Sequence, residues 1–179
     1  MQRLRQGDDA AYREALKLHG DALYTFLVRL TGRRELAEDL FQETWLALAR
    51  SAAKLPADTR LGPWLYTVAR NAFRSHRRWA WVDVSRWLVV DQDDDVTSNA
   101  PSPEELALAG QTAGCVHRAL AELRPADREI LLLHAIDGLD AAEIATILDL
   151  EPEAQRQRLS RARKALAHQL QRIEKGERP

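Results

Sequence analysis

The sequence contains a single cysteine, Cys115, among 179 residues. One thiol excludes an internal disulfide and any multi-cysteine zinc finger or ribbon. The five histidines, at positions 19, 76, 117, 134 and 168, lack the paired spacing of metal ligands, so we expect neither a metal nor a cofactor. No run approaches the roughly 18 uncharged apolar residues of a membrane span, and residues 1–30 carry charges where a signal peptide would be apolar. We therefore expect a soluble protein of the reducing cytoplasm, without membrane insertion.

The chain also lacks an excess of either charge, with 26 Lys and Arg against 27 Asp and Glu. That total alone argues against a nucleic-acid partner. The sum nevertheless hides a strong pattern: residues 1–78 carry +5, residues 79–126 carry −5, residues 127–154 carry −7 and residues 155–179 carry +6. Two basic surfaces separated by acidic segments predict two domains, each with its own anionic partner.

Residues 91–103 combine a run of acids, small polar residues and two prolines. This composition is typical of a flexible linker. We therefore predict an N-terminal domain over residues 1–80, an acidic linker over 81–105 and a C-terminal domain over 106–179.

Glycine and proline are scarce, at 8 and 7 residues, and apolar residues recur at spacings of three and four. This periodicity predicts an all-α fold of two small helical domains. In the N-terminal domain we expect three packed helices. The first carries Tyr12 to Leu30, the second begins near Glu35, and the third begins at Pro63 after a loop over residues 54–62.

The C-terminal domain has the pattern of a helix-turn-helix. One helix begins at Pro125, and Asp140 with Glu143 forms a capping-box-like start for a short helix. A tight turn then leads into a basic helix that runs to about Ile173. This succession of a short helix, a tight turn and a longer basic helix predicts a DNA-binding unit.

The last helix presents cations and amides between its apolar positions. Arginine is suited to guanine edges and glutamine to adenine edges in the major groove, while flanking cations hold phosphates. The alternative is a solvated basic face, but the preceding cap, short helix and turn favour DNA binding. The candidate residues are Arg156, Gln157, Arg158, Ser160, Arg161 and Arg163.

Two further groups stand out in the N-terminal domain. Residues 70–81 interleave cations with planar rings, which suits unpaired bases and their backbone, although Phe73 and one of the tryptophans can equally be core residues. Asp39, Gln42 and Glu43 share one helix face. No nucleophile or metal cluster accompanies them, so a protein-docking face or a solvated surface is favoured over an enzyme site.

Several segments, in this order, resemble the extracytoplasmic-function (ECF) sigma factors, the two-domain initiation subunits of bacterial RNA polymerase. The first domain carries QGDDAAY at 6–12, AEDLFQE at 37–43 and PWLYTVARN at 63–71. The second carries LRPADREILLL at 123–133, AEIA at 142–145 and RLSRAR at 158–163. Each motif is short, but their joint order and spacing are specific.

The resemblance implies a non-enzymatic subunit that binds core polymerase through its clamp helices and flap, recognises promoter DNA and has an anti-sigma factor as partner. It implies that Asp39, Gln42 and Glu43 dock on the clamp helices, and that the last helix reads the −35 element. It also implies a surface for the −10 element, where a base is flipped into a pocket. The residues of that surface are Asp58, Thr59, Arg60, Asn71, Arg74, Ser75 and Arg78.

The chain departs from the family pattern at Glu153 and Gln155, where the family usually has a Gly-Thr-Val-like entry to the recognition helix. Gln155 replaces an apolar packing residue. Glu153 can repel a phosphate or accept a hydrogen bond from a cytosine amino group, and both readings stay open. The apolar segment 79–90 is read as packing against the first bundle, with an anti-sigma docking surface as the alternative.

Two other functions remain open from the residues alone. A helix-turn-helix regulator with a ligand-sensing or dimerising N-terminal bundle would bind duplex DNA by itself as a dimer. A protein-interaction adaptor would use its acidic segments to mimic nucleic acid, but the basic and aromatic run at 70–81 argues against it.

Overall fold

The computed structural model describes residues 1–87, 114–136 and 138–175, with residues 79–87 described by their backbone alone. Within these ranges every regular element is helical, which confirms the all-α prediction. The described residues fall into two compact units. The first comprises Met1–Leu27 and the described part of Glu35–Thr97, and the second comprises Val28–Arg34 and the described part of Ser98–Pro179.

The N-terminal half of the chain is built from four helices and one 3-10 turn. They are α1 (Gln2–Arg5), α2 (Asp9–Thr31), α3 (Arg34–Ser51), a 3-10 turn (Ala52–Lys54) and α4 (Leu61–Trp87). The first unit has a core of leucines, with Leu23, Leu27, Leu40, Leu48 and Leu65 almost fully buried. The periodicity of three and four therefore produces the three predicted helices as α2, α3 and α4, although α4 begins at Leu61, inside the predicted loop, and α1 was not predicted.

Short polar contacts fix the start of α2. Asp8 Oδ1 accepts hydrogen bonds from the backbone N–H of Ala10 at 2.8 Å and of Ala11 at 3.3 Å, as an N-terminal capping residue does. Arg3 joins this cap to α1, because its Nε lies 2.8 Å from Asp8 Oδ2 and its Nη1 lies 3.2 Å from Glu14 Oε2. The α1 helix also packs against the 3-10 turn.

Pairs of aromatic rings connect the helices of the first unit. The rings of Phe26 and Tyr66 meet edge to face at 5.3 Å between centroids, a favourable geometry for aromatic pairs. Burial raises the pKa of Tyr66 to about 12, because a phenolate loses its hydration there. On the other side of α2, Tyr24 and Phe41 meet at 5.7 Å.

The α4 helix continues beyond the predicted domain boundary at residue 80, because its backbone stays helical to Trp87. The rest of the predicted linker, over residues 88–105, lies outside the described residues. So do the side chains of Trp79, Trp81 and the other members of the apolar segment 79–90. The predicted domain limits therefore remain predictions.

The C-terminal half contains four described helices. The described part of α5 covers residues 114–121, and α6 (Pro125–His134), α7 (Ala141–Leu148) and α8 (Pro152–Glu174) follow. These last three helices pack against one another. The side chain of Arg128 in α6 donates to the carbonyls that end α5, at 2.8 Å to Leu120 O and 3.3 Å to Leu123 O.

The turn chemistry of the helix-turn-helix agrees with the prediction. Asp140 Oδ1 accepts from Glu143 N at 2.8 Å, and Glu143 Oε2 accepts from Asp140 N at 3.0 Å, so the capping box is complete. Asp149 ends α7 in the left-handed conformation with φ 54°, which aspartate tolerates better than most residues. Pro152 then occupies the first turn of α8, where its missing N–H costs nothing.

Candidate nucleic-acid interface

The α8 helix has a buried side and an exposed side that carries cations. Gln155 and Ala162 are buried, and Leu159 and Leu166 are half-buried. Arg158 is half-buried, so it is less accessible than its neighbours. The other candidate residues are exposed and lie on the remaining arcs of the helix: Arg156, Gln157, Ser160, Arg161 and Arg163. Together they form a basic surface that can contact the bases and phosphates of a DNA groove.

Gln155 makes a polar contact inside the helix-turn-helix. Its side chain is only 2% exposed, and its Nε2 lies 2.7 Å from Nε2 of His134 in α6. Burial, and then the charge of Arg163, lower the pKa of His134, which favours the neutral imidazole that can accept from the amide. Gln155 therefore occupies an apolar packing position by means of a satisfied hydrogen bond.

Glu153 contacts two of the exposed candidate residues. Its Oε2 accepts from Arg156 Nε at 3.2 Å, and its Oε1 accepts from Gln157 Nε2 at 3.1 Å. The hydrogen bonds from Arg156 and Gln157 lower the pKa of Glu153. The acid that departs from the family pattern is thus paired within its own helix.

The loop before α4 carries three of the residues predicted for the −10 surface. Asp58 and Arg60 are exposed and Thr59 is half-buried. The loop is shaped by a turn in which Thr59 N donates to Pro56 O at 3.2 Å.

The middle of α4 carries the other four. Asn71, Arg74 and Arg78 are exposed, and Ser75 is half-buried. Spacings of three and four residues place them on one face of the helix. The structure therefore brings these four residues together on one accessible surface.

Not every residue of the run at 70–81 is accessible. Arg70 is 5% exposed and Phe73 is 8% exposed, so Phe73 is a core residue and Arg70 is not a surface cation. Arg77 lies above the Phe73 ring, with 6.0 Å from its guanidinium carbon to the ring centroid. The side chains of Trp79 and Trp81 lie outside the described part of the chain.

The candidate docking face on α3 is polar and open to solvent. Asp39, Gln42 and Glu43 are all exposed. Beside them lies Leu46, which is 53% exposed and was not predicted as part of this face. Its spacing of four from Gln42 and three from Glu43 was the signal that could have identified it.

Metal and membrane sites are absent from the part of the chain that the structure describes. No three His, Cys, Asp or Glu side chains there are grouped so that they could hold a metal ion. None of the helices searched is both long enough and apolar enough to cross a bilayer.

Two family models match the chain. The model of sigma-70 region 2 matches residues 16–82, and the model of sigma-70 region 4 matches residues 113–166. The first range covers most of α2, all of α3 and most of α4, and the second covers the described part of α5, all of α6 and α7 and the first part of α8.

Similar proteins are found among sequences and solved structures. RNA polymerase sigma factor CarQ of Myxococcus xanthus is 32% identical over 179 residues, covering 97% of each chain. ECF RNA polymerase sigma factor SigF of Caulobacter vibrioides is 32% identical over 170 residues, covering 94% of this chain and 90% of the relative. Sigma factor RpoE of Bartonella quintana, solved with the anti-sigma factor NepR, matches with a TM-score of 0.71 at 25% identity, over 90% of this chain and 97% of that chain.

The two family models match in the order region 2 and then region 4, and the relatives match over almost the whole chain. A regulatory subunit of this kind is not an enzyme; it directs polymerase to promoters. The chain is therefore a member of the sigma-70 family, an ECF sigma factor that binds core RNA polymerase and promoter DNA and directs promoter-specific initiation.

Proposed function

We propose that this sigma factor reads the −35 element with the exposed face of α8, reads the −10 element with the loop before α4 and one face of α4, and docks on polymerase through α3. The observation that carries this assignment is the division of α8. Its buried residues, Gln155 and Ala162, face the other helices of the unit, and its exposed arcs carry cations and an amide.

The α8 face has the chemistry of base reading. Arg156, Gln157, Arg158, Ser160, Arg161 and Arg163 are the residues proposed to contact the −35 element. A good bidentate side-chain contact with a base contributes on the order of 1–3 kcal/mol of discrimination. The remaining cations would hold phosphates and make binding steeply dependent on salt.

The −10 surface combines a short loop with a helix face. Asp58, Thr59 and Arg60 would contact the extruded base, while Asn71, Arg74, Ser75 and Arg78 would follow the single strand. Extrusion costs only a few kcal/mol, so a few polar contacts with an unpaired base can balance it. The exposure of Asn71, Arg74 and Arg78 supports this role.

Two protein partners complete the proposal. Asp39, Gln42 and Glu43 would contact the clamp helices of polymerase, with α8 and its neighbours near the flap. An anti-sigma factor is proposed as the inhibitor, because the Bartonella quintana structure that resembles this chain was solved with one. The site of action would be the cytoplasm.

Reconstituted transcription tests the assignment of α8. Core RNA polymerase is supplied with the full-length protein, and transcripts are measured from a library of genomic promoters. We expect Arg161→Ala to lower initiation at promoters that depend on the upstream element, while binding to polymerase is retained. Lys175→Ala, which removes an exposed cation at the end of the same helix, is the matched control. Equal loss in both variants would contradict the assignment.

A further inference from the structure

Glu153 holds two side chains that are proposed to read bases. One carboxylate oxygen accepts from Arg156 and the other accepts from Gln157, at 3.2 Å and 3.1 Å. All three side chains are exposed on the first turns of α8. The contacts therefore form on the surface that would face DNA.

These hydrogen bonds decide which polar atoms remain available. Arg156 points Nε and Nη2 at the carboxylate, which leaves the outer edge of the guanidinium free for a guanine. Gln157 uses one of its two N–H groups, which leaves its other N–H and its carbonyl oxygen free for an adenine. Each side chain thus has one polar edge already hydrogen-bonded and the other available to a base.

The backbone beneath this group is also held in place. Gln155, which lies between Glu153 and Gln157, is buried and bonded to His134. The first turn of α8 is therefore fixed to α6. A side chain held on a fixed turn loses less conformational freedom on binding.

We propose that Glu153 is the positioning residue that sets base preference within the −35 element at the positions read by Arg156 and Gln157, by orienting these two side chains. This inference rests on the proposed reading of the −35 element by α8. Exposed ion pairs contribute little to stability, so the effect of Glu153 lies in recognition and not in folding. The carboxylate also keeps Arg156 from turning toward a phosphate.

The test compares two acids of the same helix start. Glu151 is the N-cap residue of α8 and makes no side-chain cap hydrogen bond, so Glu151→Ala removes the same charge without the contacts. Core polymerase and each full-length variant are given a promoter library with a randomised −35 element. Sequenced transcripts then report base preference at every position.

We expect Glu153→Ala to reduce base discrimination by about tenfold at one or two adjacent positions of the −35 element and to leave −10 preference and thermal stability unchanged. Glu153→Gln, which keeps one carbonyl oxygen, falls between Glu153→Ala and wild type. Glu151→Ala keeps the wild-type preference.

A preference in Glu153→Ala equal to that of Glu151→Ala overturns the inference, even if total transcription falls. The Arg161→Ala variant, tested with the same promoter library, distinguishes failure of the role of Glu153 from failure of the proposed reading of the −35 element by α8. If it still lowers use of the upstream element, only the role of Glu153 is wrong. If it too has no effect, the proposed reading by α8 fails as well.

Discussion

Gln155 Nε2 lies 2.7 Å from His134 Nε2, so the first turn of α8 is bonded to the last turn of α6. The contact lies at the entry to α8, where Gln155 is buried. It therefore makes the position of α8 depend on a polar pair.

Removal of the amide leaves a half-buried imidazole without this hydrogen bond. We expect Gln155→Ala to lower the free energy of unfolding by about 1–3 kcal/mol, measured by thermal or urea denaturation. Gln157→Ala is the control, because Gln157 is exposed and neighbours the same turn. Equal stability of the two variants would show that the contact with His134 contributes nothing.

The same pair predicts a dependence on pH. Burial and Arg163 lower the pKa of His134 below its ordinary value of 6.5, so the unfolded chain binds the proton more readily than the folded chain. The stability from this group is therefore present above about pH 6.5 and is lost as the pH falls toward the folded pKa. Denaturation at several pH values measures this slope, and His134→Gln, which cannot titrate, is expected to reduce it. An unchanged slope in that variant would contradict the prediction.

Charge reversal on α3 tests the docking face. We expect Asp39→Lys with Glu43→Lys to weaken binding to core polymerase at least about tenfold, because like charges replace complementary ones at the interface. Binding is measured by co-purification or by competition with a second sigma factor. Asp21→Lys on α2 is the control, since Asp21 is an exposed acid on a different helix. Undiminished binding of the double variant would remove these residues from the interface.

Leu46 extends the same face with apolar surface. Burial of its exposed half on docking is worth on the order of 1 kcal/mol, so we expect Leu46→Asn to weaken polymerase binding about fivefold. Leu18→Asn is a matched control, because Leu18 is 73% exposed on α2. The prediction fails if both variants bind as wild type does, or if both lose affinity equally.

Local sequence signals were sufficient for much of the fold. The capping box at Asp140 and Glu143 acts within four residues, and the periodicity of α2, α3 and α8 is long enough to specify a buried side. The end of α4 was not predictable in the same way, because no glycine or proline interrupts residues 80–87. The predicted domain boundary therefore followed the change in net charge along the sequence and not the end of the helix.

Burial of polar residues depends on partners that are distant in the sequence. Arg70 belongs to a run of cations and has no local feature that separates it from Arg74, yet it is buried. His134 lies 21 residues from its partner Gln155, so only packing brings them together. The exposed positions of α8 could be predicted from the apolar periodicity of the sequence. The hydrogen bonds of Glu153 could not, because they depend on side-chain geometry.

Arg128 links the end of α5 to the interior of α6 through its hydrogen bonds to Leu120 O and Leu123 O. Separation of α5 would leave the buried guanidinium with its hydrogen bond to Leu30 O at 3.2 Å but would remove those to Leu120 O and Leu123 O, and lost bonds of a buried charged group are costly. We therefore expect the end of α5 and α6 to open together, as one cooperative unit. The guanidinium of one arginine thus supplies the donors that the carbonyls at this helix end would otherwise take from solvent.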